Sequence, residues 1–287
     1  MSAMSDRDTP PAGPWGSRDP QADTVAAAVA VPAARPAATA EANKGQHPLW
    51  AIGSTLLLGG FIWFVSGSWV IAVAAIWGLF VHEYGHVLAM NRLGMGPARI
   101  FIIPFLGGVA RSARLPASEW DGVKVSLAGP AFGLLAALPF FGLYLLLGGG
   151  AWLIGAAAIA ALNLINLAPA PPLDGSKALG PVLARIHPLL ERAAMIAVGL
   201  LVVVWGLSNG SYIFAGFLVL ALYGHLRRGK WRPDGRPLTG REAAYSVGLY
   251  VLTALACAAM AVFALSHLTG SIDEALAVGG RYLQVGR

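Results

Sequence analysis

The sequence predicts an all-α multi-spanning membrane protein, with about six to seven transmembrane helices and a short membrane-associated β-hairpin. Hydrophobic residues make up 56% of the 287 residues and charged residues only 12%, against about 25% charged in an average soluble protein. The apolar residues form long blocks, and the basic residues collect in alternate gaps between them. These features exclude an ordinary water-soluble enzyme. The single Cys257 also excludes an intramolecular disulfide and a cysteine-based zinc cluster.

Seven apolar blocks define the predicted helices. They cover residues 49–65, 69–90, 122–147, 151–170, 193–207, 211–224 and 243–267. A crossing of the hydrocarbon needs about 20 residues. Blocks five and six have only about 15 each, so two short spans or a partly re-entrant hairpin are both open there.

The blocks divide the chain into four segments. Residues 1–46, rich in alanine and proline, are expected to be a disordered N-terminal tail. Residues 47–192 form the core that contains the motifs described below, and residues 193–267 add further transmembrane helices. Residues 268–287 form a C-terminal tail.

The basic residues set the orientation. Alternate loops hold 18 of the 20 lysines and arginines, and the positive-inside rule assigns those loops and the N-terminus to the cytoplasm. The six basic residues at 227–241 lie beside a membrane block, which favours a topology signal or anionic-lipid contact over nucleic-acid binding. We expect a multi-pass protein of a bacterial cytoplasmic (inner) membrane that contacts the lipid bilayer and no nucleic acid.

Residues 99–113 are apolar and rich in β-branched and aromatic side chains, and they are centred on Gly107 and Gly108. This composition fits a short hairpin at the membrane surface. A hydrophobic connector beneath the helices is an equally good interpretation.

The second block ends in His82-Glu83-Tyr84-Gly85-His86. On a helix, positions 82 and 86 lie one turn apart on the same face, so two imidazoles can reach one cation. Glu83 is close enough to act on a metal-bound water. Ionisable groups in a membrane segment are costly and usually functional. His82 lies about 20 Å into the span, on its cytoplasmic side.

A catalytic zinc usually has three protein ligands, and Asp174 is the candidate for the third. It follows block four after Pro169, Pro171 and Pro172, which break the helix. Unwound backbone at membrane depth is tolerated where it lines a wet cavity. Taken alone, Asp174 could instead cap the helix that follows it.

Together, His82-Glu83-x-x-His86 and Asn166-x-x-Pro169-x-Pro171-x-Leu173-Asp174-Gly175 resemble the site-2 protease family of intramembrane zinc metalloproteases, peptidase family M50. The resemblance covers roughly residues 50–190. The Ala128-Gly129-Pro130 turn also matches. Three residues after that proline, where the family often has asparagine, this sequence has Gly133.

The resemblance implies one catalytic Zn2+ bound by His82, His86 and Asp174, with Glu83 as the general base. It further implies that Asn166 holds the substrate near the scissile carbonyl. Gly107 and Gly108 would belong to a hairpin that pairs with an unwound substrate segment. The substrate would be a transmembrane protein segment cut near its cytoplasmic end, as in regulated intramembrane proteolysis.

Two other functions stay open from the sequence. A membrane metal-ion transporter could use paired histidines as a relay, although the other blocks lack clusters of intramembrane ligands. A non-catalytic membrane-protein binder on a protease scaffold would have no need to keep Glu83 with all three ligands.

Overall fold

The predicted fold class is confirmed in a computed structural model that describes residues 46–103, 107–227 and 235–283. The N-terminal tail predicted for 1–46 lies outside these residues, apart from Gln46. Within them the chain forms ten helices and one two-stranded sheet. The helices are α1 (Pro48–Ser66), α2 (Trp69–Arg92), α3 (Glu119–Leu135), α4 (Leu138–Leu147), α5 (Gly150–Asn166), α6 (Asp174–Ile186), α7 (Pro188–Ser208), α8 (Tyr212–Arg227), α9 (Gly240–Thr269) and α10 (Ile272–Leu283). The strands are β1 (Ala98–Ile103) and β2 (Gly107–Ser112).

Five helical stretches in the described residues are long and apolar enough to cross a membrane. They are Pro48–Ser66, Trp69–Arg92, Glu119–Leu147, Pro188–Ser208 and Gly240–Thr269. Two shorter apolar helices, Gly150–Asn166 and Ala215–Gly224, correspond to predicted blocks four and six. On the outer surface Phe64, Leu145 and Leu146 are at least 80% exposed, which suits contact with lipid rather than water.

Block five is longer in the structure than its apolar residues predict. Helix α7 has 21 residues, because it begins at Pro188 and its first turn ends at the charged Glu191, ahead of the apolar run. The Nδ1 atom of His187 accepts a hydrogen bond from the Leu189 amide at 3.2 Å and so caps this turn. The segment predicted as a C-terminal tail also contains helical structure, since α9 continues to Thr269 and α10 follows.

Helix α2 packs against α1, α3, α5 and both strands. Two glycines let its neighbours approach closely. A Cβ atom at Gly85 would lie 2.5 Å from the Ala128 carbonyl oxygen of α3, and one at Gly78 would lie 3.0 Å from Ile159 of α5. The residues between them on α2 are thereby held against two helices at once.

The predicted hairpin is present, but its glycines lie in a strand rather than at the turn. Strand β1 pairs with β2 in antiparallel register, with Ile103 opposite Gly107, so the connection consists of residues 104–106, outside the described part of the chain. Gly107 has a φ of +114°, a conformation that favours glycine.

Helix α5 ends at Asn166, and α6 begins at Asp174. The prolines in between remove amide donors, as the sequence predicts. The hydroxyl of Tyr250, on α9, donates a hydrogen bond to the Leu167 carbonyl at 2.6 Å and so satisfies one group of the broken helix. A Cβ atom at Gly175 would lie 2.6 Å from the Ala168 carbonyl oxygen. The segment therefore turns tightly and brings α6 back toward α2.

Candidate metal centre

Two helices bring together the three ligands that the sequence predicts. His82 and His86 lie one turn apart on α2, and their ring centroids are 4.8 Å apart. Asp174 is the first residue of α6. The Nε2 atoms of the two histidines lie 3.1 Å from each other, and each lies 3.1 Å from Oδ2 of Asp174. All three side chains are buried.

Asp174 does not act as a helix cap. Leu173 occupies the N-cap position of α6, and the first turn of this helix has no side-chain capping hydrogen bond. The carboxylate instead faces the two imidazoles, and its second oxygen, Oδ1, lies 3.5 Å from Nζ of the exposed Lys177. The structure therefore favours the ligand interpretation of Asp174 over the capping one.

Hydrogen bonds at the far side of each ring set the tautomers. Nδ1 of His86 lies 2.8 Å from the Val125 carbonyl oxygen, which can only accept, so Nδ1 bears the hydrogen. Nδ1 of His82 lies 2.8 Å from Oδ1 of Asn163. The Asn163 amide donates through Nδ2 to the Ile159 carbonyl at 2.8 Å, which leaves Oδ1 as the acceptor toward His82. When both rings are neutral, each presents an Nε2 lone pair.

In that state three electron-rich atoms face one another at 3.1 Å, an arrangement that a cation between them would stabilise. Ligand atoms about 2.1 Å from a tetrahedral zinc are about 3.4 Å apart, close to the observed spacing. The donor set of two imidazoles and one carboxylate also suits zinc. His82, His86 and Asp174 could therefore hold a metal ion. They are the one cluster of three potential metal ligands found in the described residues.

Glu83 lies beside this group on α2 and is 6% exposed. Among the described residues its carboxylate accepts no hydrogen bond. Strand β2 covers it closely, since a Cβ atom at Gly108 would lie 2.6 Å from Cγ and 3.2 Å from Oε1 of Glu83. A buried carboxylate without a protein donor is available to accept a proton from water.

The two edges of the hairpin differ. On β1, Ile102 exchanges two hydrogen bonds with the Gln46 carboxamide, at 2.8 and 2.9 Å, and the Ala98 amide donates to Oδ1 of Asn91. Antiparallel pairs alternate in hydrogen bonding, so Gly108, opposite Ile102, directs its backbone groups away from β1. These groups and those of Ala110 form an edge that no described residue pairs with; we term it the open edge.

Asn166 makes no hydrogen bond to His82, His86 or Asp174, the three candidate ligands. It is half-buried, and its Nδ2 donates to the Leu162 carbonyl of its own helix at 3.1 Å. The asparagine that contacts a histidine is Asn163, one turn earlier, whose exposed fraction is 0%. Sequence reasoning missed this residue. The signal available was a second asparagine in a membrane helix, where an amide side chain needs a partner.

The Ala128-Gly129-Pro130 sequence lies within helix α3 rather than at a turn. Pro130 is inside the helix, and Gly129 lies against the metal-ligand candidates. A Cβ atom at Gly129 would lie 2.9 Å from Nε2 of His82 and would also overlap the His86 ring. The absence of a side chain at this position gives the two imidazoles their room.

Comparison with known proteins covers part of this site. Residues 70–160 match the sequence profile of peptidase family M50, and the resemblance described above is confirmed over that range. The match includes His82, Glu83 and His86 and ends before Asp174. No curated protein matches the chain. The family match supports a membrane metalloprotease.

Proposed function

Since residues 70–160 match peptidase family M50, we propose that this protein is an intramembrane zinc metalloprotease. It hydrolyses peptide bonds within transmembrane segments of membrane proteins, near their cytoplasmic end, in regulated intramembrane proteolysis. The observation that supports this best is the convergence of Nε2 of His82, Nε2 of His86 and Oδ2 of Asp174 beside the buried Glu83.

His82, His86 and Asp174 would hold the ion, through the atoms that face one another at 3.1 Å. A Zn2+ held there would lower the pKa of a bound water toward about 7 and polarise the scissile carbonyl. Glu83 accepts a proton from the attacking water and returns it to the leaving amine, so water is added across the C–N bond. The hydrogen bonds at Nδ1 of each histidine hold the rings in the required tautomer.

The substrate must unwind before cleavage, because helical hydrogen bonds cover its peptide bonds. The open edge of β2 provides alternative partners for an extended segment, as in β-strand addition. Gly108 contacts Glu83, so a strand added there passes within reach of the carboxylate. Gln46 and Asn91 cap the other edge of the hairpin, which favours addition on the β2 side. The second amide hydrogen of Asn166 is available for a substrate carbonyl.

The membrane orientation follows from the basic residues. Helix α2 ends at Arg92, ten residues after His82, and the exposed Arg99 and Arg111 lie on the hairpin beside it. The positive-inside rule assigns this end of α2 to the cytoplasm. The N-terminus then lies in the cytoplasm as well, and the protein is a multi-pass component of a bacterial inner membrane.

A metal-ion transporter is the second candidate. It requires several ligand groups along a path, whereas the described residues contain one such group. A binder on a protease scaffold does not require a buried carboxylate at position 83. Both alternatives are therefore less well supported than hydrolysis.

The test uses the full chain in liposomes with a single-span reporter polypeptide, tagged at both ends and containing glycine and proline in its cytoplasmic half. We expect two fragments whose new termini, identified by mass spectrometry, lie within the span. A zinc chelator should stop the reaction, and added Zn2+ should restore it. Zinc flux into the liposomes without any fragments would contradict the proposal and support transport.

A further inference from the structure

The polar contact at His82 comes from a residue outside the two sequence motifs. Asn163 lies on α5, three residues before the motif asparagine Asn166, and is completely buried. Its Oδ1 accepts a hydrogen bond from Nδ1 of His82 at 2.8 Å. A buried amide is costly unless its groups are paired, and Asn163 pairs both of its polar atoms.

The orientation of the Asn163 amide is fixed from two sides. Nδ2 donates to the Ile159 carbonyl one turn earlier on α5, so a flipped amide would set oxygen against oxygen. In the observed orientation Oδ1 can only accept, and the hydrogen of His82 must be on Nδ1. Nε2 of His82, 3.1 Å from Oδ2 of Asp174, is then free to bind a cation.

Helix α3 provides the space for this amide. A Cβ atom at Gly133 would lie 2.6 Å from Cγ and from Nδ2 of Asn163, and would overlap Oδ1. Any larger residue at position 133 would displace the carboxamide. The resemblance to family M50 leads one to expect an asparagine where this chain has Gly133, and here an amide from α5 fills that space.

We propose that Asn163 is a positioning residue for His82. Gly133 makes this possible, because it has no side chain where the Asn163 carboxamide lies. Asn163 fixes the tautomer and the ring orientation of the first metal ligand and thereby raises zinc affinity, while it touches neither metal nor substrate. The inference rests on the proposed zinc site, but its test measures metal binding rather than cleavage.

The experiment measures zinc affinity of the full chain in detergent by competition with a chromophoric chelator. Loss of an outer partner of a ligand typically costs about 10- to 100-fold in metal affinity, and we expect this loss in Asn163→Leu. Asn163→Asp keeps an acceptor for Nδ1–H but sets a second oxygen against the Ile159 carbonyl, so it should bind zinc less tightly than wild type and more tightly than Asn163→Leu. The ligand-field absorption of the Co2+-loaded protein should shift in the leucine variant and lie closer to wild type in the aspartate variant.

Gly133→Ala tests the same contact without changing a polar group. Alanine is favourable in a helix, so folding should be preserved while the added methyl group displaces the Asn163 amide. We expect a loss of zinc affinity like that of Asn163→Leu. In an Asn163→Ala background, Gly133→Ala should lower zinc affinity much less, because the amide that it displaces is gone.

Ser246→Ala is the matched control. Ser246 is also completely buried, and its hydroxyl donates one hydrogen bond to the Ala178 carbonyl. The substitution removes that bond, and zinc affinity should not change. Wild-type affinity in both Asn163→Leu and Gly133→Ala would overturn the inference, as would an aspartate variant as weak as the leucine variant. Failure of the wild-type chain to bind zinc would instead contradict the proposed function.

Discussion

Gly108→Ala tests the contact between the hairpin and the general base. The added methyl group would lie 2.6 Å from Cγ of Glu83, whereas carbon atoms pack at about 3.5 Å. Either Glu83 or strand β2 must therefore move by about 0.9 Å. The Cγ atom is near the backbone of α2, so a rotation of the carboxylate alone does not relieve the overlap.

A misplacement of about 1 Å in an active site can cost about 100-fold in rate, and we expect kcat for reporter cleavage to fall by about that factor. The metal ligands are not touched, so zinc content should stay at the wild-type level. The assay compares turnover, zinc per chain and thermal unfolding in the same preparations.

Gly142→Ala is the control for this prediction, because no atom lies within 4 Å of a Cβ built at that helical glycine. It should leave turnover and zinc content unchanged. If Gly108→Ala kept kcat within about threefold of wild type, the position assigned to Glu83 beneath β2 would be refuted.

Three further predictions concern the residues around the site. Asp174→Ala should abolish high-affinity zinc binding, since it leaves two of three protein ligands, and chelator competition would show full occupancy if the assignment were wrong. Gln46→Ala should remove two hydrogen bonds from Ile102 and speed its amide hydrogen exchange; unchanged exchange would contradict the capped edge. Tyr250→Phe leaves the Leu167 carbonyl unpaired and should lower the free energy of unfolding by about 1–2 kcal/mol, measured against the wild-type chain in the same detergent.

The helical face that presents His82 and His86 could be predicted from sequence, because the spacing of four residues fixes their relation on α2. The candidate ligand Asp174 could also be predicted, since the prolines before it end α5 and a catalytic zinc usually has three protein ligands. These features depend on local geometry and on the chemistry of zinc, both of which can be derived from short stretches of sequence.

The contacts of Asn163 could not be predicted in the same way. Its role depends on the approach of α5 to α2 and on the missing side chain at Gly133, which are properties of packing between distant segments. The sequence also predicts a hairpin centred on Gly107 and Gly108, whereas both glycines lie in strand β2. Glycine suits a turn, but here Gly108 is required by the proximity of Glu83.

Helix bounds differed from the prediction where polar residues extend an apolar block. Helix α7 begins at Pro188, five residues before the apolar run, because His187 caps its first turn and the charged Glu191 and Arg192 continue the helix. Hydropathy detects the part of a helix that suits lipid, and it does not detect polar turns that continue the same helix beyond it.

The most direct test of the catalytic assignment measures zinc content and cleavage together in Glu83→Gln, with Glu274→Gln as a control at an exposed position on α10. Glutamine has nearly the shape of glutamate but cannot accept the proton from water. The assignment predicts one zinc per chain and no reporter cleavage in Glu83→Gln, and wild-type values for both in the control. Cleavage at the wild-type rate by Glu83→Gln would contradict it.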